Sequence, residues 1–235
     1  MVPPTKFDTS TILAHCSLVQ LPEDGKPAVY TLPLSLECED SRSQLRKFVI
    51  DLGEKGMQLQ GKTVPEKVMM VVGSTGSGKT TTINAMINHI TGVQWKDDFR
   101  IKMIHELSSN QGTATIGNQA HSQTQFVSCY TLPYVEGLEI PYNLTVVDTP
   151  GFGDTRGIYH DKAITEQIRR FFNTKGSAGI DHVDVIYFIA QAGISRLTPT
   201  QQYVFDRIMA MFGKDIKKNI LVPLEIGRAS CRERV

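Results

Sequence analysis

Two apolar textures divide the chain. Before about residue 65 the apolar positions alternate. In AVYTLPLSLE, Tyr30, Leu32, Leu34 and Leu36 fall on one face, the period-two pattern of a half-buried strand. Pro33 lies on the other face, which points to an edge position. RKFVIDLG alternates through Phe48, Ile50 and Leu52, and PEDG, Pro22 to Gly25, reads as a turn before the first of these strands. These patterns predict a small β-rich N-terminal extension over residues 1–65, a packing module with no assignable chemistry. From Val68 the texture changes. VMMVVG is a continuous apolar run, as in a parallel strand buried on both faces. Ile83, Met86, Ile87 and Ile90 follow at helical spacing. YNLTVVDTPG and HVDVIYFIAQ supply two more buried runs, and Ile164, Ile168, Phe171 and Phe172 mark a helix face between them. Thr198 reads as an N-cap with Pro199 at the first helical position, and Phe205, Ile208, Met209 and Phe212 mark the face of that helix. Strands alternating with helices predict an α/β fold, a doubly wound and mostly parallel sheet, over residues 66–224. SCYTLPYV before LEIPYNLTVV predicts an antiparallel pair within it.

Composition adds limits. The 235 residues are 40% hydrophobic and 21% charged with net charge +1, the make-up of a soluble domain with no field to recruit nucleic acid or anionic membrane. Leu107 to Val135 lacks Asp, Glu, Lys and Arg but is rich in Ser, Thr, Asn, Gln and Gly, a polar loop rather than a transmembrane segment. MVPPTKFDTS has no apolar core region and predicts no signal peptide. Cys16, Cys38, Cys129 and Cys231 show no CxxC spacing, so free thiols in a reducing, cytoplasmic setting are expected. The six histidines carry no metal-ligand rhythm.

GSTGSGKT, Gly73 to Thr80, fits G-x-x-x-x-G-K-[ST]. An ordinary glycine-rich turn could show the same letters; the buried strand before and the helix after favour a phosphate loop. Gly73, Ser74, Thr75, Gly76, Ser77 and Gly78 would turn backbone N–H groups inward as an anion cradle, with Thr81 in the helix beyond. Lys79 would reach the β and γ phosphates, and Thr80 would place its hydroxyl on Mg2+. A second motif is VVDTPGFGD, Val146 to Asp154. Asp148, at the C-terminal end of a buried strand, takes the Walker-B place near Mg2+. Gly151 could bring its N–H to a γ-phosphate because no side chain blocks the approach. Thr149 and Pro150 follow Asp148 where many P-loop ATPases carry a second acid. Between the motifs, Thr124 in SQTQ is the candidate Mg2+-sensing switch residue. Thr113 and Thr115 compete with it, and an inert linker is the alternative.

GSTGSGKTT together with DTPGFGDTRG resembles the septins and the immune-associated nucleotide-binding GTPases. SQTQ is similar to their switch I, RLTPTQ to the start of their third helix, and Phe188 to Ile220 to a group of animal G proteins related to both. The resemblance covers about Val68 to Val222. It implies a G domain that binds the guanine nucleotide GTP with Mg2+ and can form a homo-oligomer through that domain; Phe152, which stands after Gly151 where a glutamine could orient the attacking water, predicts slow hydrolysis that a partner accelerates. A nucleotide-dependent assembly module with negligible turnover is the alternative; an ATPase or kinase needs an adenine pocket or acceptor site that the sequence does not display. The family's guanine-reading [NT]-[KH]-x-D motif would follow the fifth strand, but no aspartate follows Asp215. The last residues, Glu225 to Val235, resemble the translation of a sequencing adaptor. The expectation is therefore a C-terminally truncated G domain whose native sequence differs after Val222.

Overall fold

The computed structural model describes residues 9–23, 25–53, 64–104, 126–153, 158–173, 180–191 and 196–225. The order is α1 (Thr9–His15), β1 (Ser17–Gln20), β2 (Ala28–Thr31), β3 (Leu34–Asp40), β4 (Leu45–Ile50), β5 (Glu66–Gly73), α2 (Lys79–Ile90), β6 (Phe99–Lys102), β7 (Val127–Leu132) and β8 (Asn143–Asp148). Then come α3 (Ile158–Asn173), β9 (Val185–Gln191), α4 (Pro199–Phe212), β10 (Ile220–Leu221) and β11 (Leu224–Glu225). The main sheet runs β10-β9-β5-β8-β7-β4-β3, with β11 also on β9. Its centre is parallel, while β7–β8 and β3–β4 are antiparallel. The fold is thus the expected α/β one, and the predicted antiparallel pair is β7 on β8.

The run Val68–Val72 is apolar throughout because both faces of β5 are covered. Met69 and Val71 pack with Ile83, Ile87 and Ile90 of α2 on one side. Val68, Met70 and Val72 pack with Ile164, Ile168 and Phe171 of α3 and Val204 and Ile208 of α4 on the other. On α4, Ile208 is buried with Val204, and Phe205 and Phe212 pack against that core, as predicted; Met209 is only partly buried. Its start is as read: Thr198 accepts from Gln201 N–H, and the Gln201 side chain accepts from Thr198 N–H, with Pro199 at the first helical position.

AVYTLPLSLE forms two strands rather than one. The chain leaves the ladder at Leu32-Pro33; β2 joins β1 and β6 in a three-stranded sheet, while β3 pairs with β4. β4 then pairs in parallel with β7, from Leu45↔Val127 to Val49↔Thr131, and Phe48 stacks on Tyr130 at 5.3 Å. Residues 34–50 therefore lie in the same sheet as β5 and the strands beyond it. The small sheet hangs on α2. Asn88 accepts from Ile101 N–H and donates to Ile101 O; Asn84 accepts from Met103 and Ile104 N–H and donates to Ile104 O. These two amides stand in for a neighbouring strand and satisfy backbone groups that burial would otherwise strand.

Candidate functional site

The site is assembled where β5 and β8 end side by side, with Val71 opposite Asp148. After Gly73 the chain must turn tightly. A Cβ on Gly73 would lie 2.6 Å from Ser77 Oγ and 2.9 Å from Ile189 O, so no side chain fits. Gly76 and Gly78 sit at φ 73° and 94°, the left-handed region that favours glycine. The loop closes through Ser77 N–H to Ser74 O at 3.1 Å and delivers the chain into α2.

The start of α2 carries no side-chain cap hydrogen bond and no acidic residue in its first turn. Its leading N–H groups and the positive end of its dipole thus face the loop without an internal anion. Lys79 folds back over the loop, its Nζ donating to Gly73 O at 3.2 Å and Ser74 O at 3.0 Å. Burial pushes the pKa of this ammonium below the ordinary lysine value, and the charge of Asp148 partly opposes that shift. Ser77 Oγ is buried with no hydrogen-bond partner among the described residues. Positive, desolvated and under-satisfied groups so gather around the loop, which is the chemistry of an anion site.

Thr80 is partly buried in the first turn of α2 and Thr81 is exposed beside it. Asp148 is buried at the end of β8. A hydroxyl and a carboxylate are hard oxygen donors suited to Mg2+. Among the described residues no cluster of three or more His, Cys, Asp or Glu could hold a metal alone. A Mg2+ ion on Thr80 and Asp148 would need further oxygens from phosphate or water, which fits a nucleotide-borne ion. Thr124, Thr113 and Thr115 lie outside the described residues, as does Asp154.

The two motifs are strapped together. Phe152 N–H donates to Gly73 O at 3.2 Å, and Thr75 N–H donates to Phe152 O at 2.9 Å. The Thr75 amide, expected in the inward cradle, is thus spent on the strap. Gly151 has no room for a side chain either, since a Cβ would meet Thr75 Oγ1 at 2.6 Å and Thr75 Cα at 2.8 Å. Thr149 donates from its hydroxyl to Val71 O at 2.8 Å and fixes the turn against β5. Phe152 is fully buried and packs in the core with Ile164 and Ile168 of α3. Gly153 N–H donates to the buried carboxylate of Asp161 on α3 at 2.9 Å. The sequence reading took Thr149 only as the lack of a second acid and passed over Asp161. The threonine stands inside the D-T-P-G motif and could have been weighed as a cross-strand donor. Asp161 lies beyond any motif spacing, and only the fold brings it to Gly153.

The family model described as Septin matches residues 65–175. No curated protein matches the chain in sequence. Among solved structures, Toc33 from Arabidopsis thaliana in complex with Mg2+ and GMPPNP is 19% identical, with a TM-score of 0.44 over 73% of this chain and 55% of that one. Toc33 from the same plant in complex with GDP and Mg2+ is 18% identical, also with a TM-score of 0.44 and the same coverage of 73% and 55%. This chain thus spans just over half the length of those structures.

Proposed function

We propose that the chain is a GTP-binding G domain of the septin-like class that takes Mg-GTP on the loop Gly73–Thr80. The observation that carries this reading is the uncapped start of α2 beneath a desolvated lysine, with Asp148 in the neighbouring strand. The septin match over residues 65–175 spans both the loop and the D-T-P-G turn and supports guanine as the base.

In this reading Lys79 leaves the Gly73 and Ser74 carbonyls for the β and γ phosphates. The amides of Gly76, Gly78, Lys79 and Thr80 hold the phosphate oxygens, with Thr81 beside them, and Gly151 offers its N–H to the γ-phosphate. Thr80 and Asp148 hold Mg2+, joined by Thr124 as the switch residue. When bound there, the metal would neutralise part of the phosphate charge. Hydrolysis is an in-line attack of water on the γ-phosphate, and the chain does little to orient that water. The position after Gly151 is Phe152, whose ring lies in the core. Turnover by a lone protomer is therefore slow, and acceleration comes from a second protomer or a partner that brings a polar group. The same observation favours a second reading, a nucleotide-dependent assembly module with negligible turnover. Both readings are of a cytoplasmic protein. Among the described residues no helix is long and apolar enough to cross a membrane.

Competition tests the base. With a fluorescent GTP analogue bound in Mg2+, GTP and ATP displace it at similar concentrations from this chain, in which no aspartate follows Asp215 to read guanine; in a longer chain that supplies an [NT]-[KH]-x-D segment, GTP displaces it at lower concentration than ATP. Equal displacement by ATP in the longer chain contradicts the guanine assignment, and phosphate release on mixing at two protein concentrations separates the two readings.

A further inference from the structure

The turn Gly151–Gly153 is held from two sides. Toward the phosphate loop it is bound by the paired backbone bonds Phe152 N–H to Gly73 O and Thr75 N–H to Phe152 O. Toward α3 it is bound by the Phe152 ring among Ile164 and Ile168 and by Gly153 N–H on Asp161 Oδ1 at 2.9 Å. The second hold is specific. Asp161 is only 5% exposed, and a carboxylate is not left in such a place without a hydrogen-bond donor. Gly153 meets it at φ 69°, a left-handed conformation that turns its N–H toward the helix. The Asp161 carbonyl in turn accepts the Thr165 hydroxyl at 2.9 Å.

We propose that Asp161 is a positioning residue of the nucleotide site: it fixes the turn that presents the Gly151 N–H, and so sets the preference for a nucleoside triphosphate over the diphosphate. The inference rests on the GTP-binding reading. Gly151 lies tight against Thr75, where even a Cβ would meet the Thr75 Oγ1 at 2.6 Å. The turn has little freedom on the loop side. Its remaining tilt is set by where Gly153 is anchored on α3. A diphosphate has no group for Gly151 to meet, so its binding does not depend on that tilt. The same anchor gives α3 a mechanical link to the phosphate, through one charge-assisted hydrogen bond.

The test compares binding of GMPPNP and GDP, each with Mg2+, by calorimetry on the full chain and on Asp161→Ala and Asp161→Asn. Asp161→Ala is expected to weaken GMPPNP by roughly tenfold, the scale of one charge-assisted hydrogen bond, with GDP nearly unchanged. Asp161→Asn keeps an oxygen acceptor and restores most of the difference. Should Asp161→Ala lose its fold by circular dichroism, Gly153→Ala disturbs the same bond from the exposed turn and is expected to show the same selective loss. Equal losses for both nucleotides, or no loss in a folded variant, overturn the positioning role while leaving the GTP-binding reading intact. Failure of the unaltered chain to bind either nucleotide overturns both.

Discussion

Lys79 shows how one residue can be both ready and unsettled. Its ammonium makes two bonds to loop carbonyls, yet burial lowers its pKa below that of an exposed lysine. A triphosphate would replace those neutral acceptors with charged ones. The sign of the pH effect follows. Anion affinity needs the protonated form, so it is present below the lowered pKa of the free protein and lost as pH rises through it. Triphosphate affinity measured from neutral to alkaline pH is expected to decline before an ordinary lysine would titrate; a flat profile up to that range contradicts the burial argument. At Gly151 the argument is steric. Alanine there would overlap Thr75 side chain and backbone, and overpacking of this kind costs about 1–3 kcal/mol. Gly151→Ala should lower the melting temperature as well as triphosphate affinity, which thermal denaturation and a nucleotide titration together would report.

Among the elements, those with local signals were legible. β5, the phosphate loop and α2 could be read because a continuous apolar run, glycine spacing and a 3.6-residue stripe lie in one stretch. The capping box at Thr198 is likewise a local pattern. Long-range pairing was not legible: nothing in RKFVIDLG announces that β4 lies parallel to β7, since register depends on a strand nearly eighty residues later. AVYTLPLSLE misled because unbroken alternation hides a change of sheet at Pro33. Pro223 carries a similar lesson. β10 and β11 keep one register on β9, with Ile220 opposite Ile186 and Leu224 opposite Ala190. Pro223 still accepts from Ala190 N–H at 3.2 Å and interrupts the ladder only by lacking an N–H of its own. The asparagines of α2 were invisible for the opposite reason: Asn84 and Asn88 read as a polar helix face until the small sheet is seen against them. Asn88→Ala would leave the Ile101 N–H and carbonyl without their partner, at a cost of about 1–3 kcal/mol. Chemical denaturation should show that loss with an unchanged slope; a loss under 0.5 kcal/mol, roughly a surface substitution's effect, would show that water replaces the amide.

At the scale of the whole molecule, the phosphate loop, the D-T-P-G turn and α3 form one connected body. The loop is fixed to the turn by backbone bonds, and the turn is fixed to α3 by a buried ring and a buried carboxylate. The absence of a polar side chain at Phe152 then has a molecular consequence. If a second protomer or a partner brings the missing group, GTP turnover per protomer rises with protein concentration or on adding that partner. Fast turnover independent of concentration would contradict this. The central claim is narrower, that Gly73–Thr80 binds a nucleoside triphosphate through Lys79. Its most direct test is titration of a fluorescent GTP analogue, with Mg2+, into the unaltered chain and into Lys79→Ala. The account predicts saturable binding by the first and loss of most of that affinity in the second, with circular dichroism unchanged. Equal affinity in a folded Lys79→Ala would contradict it.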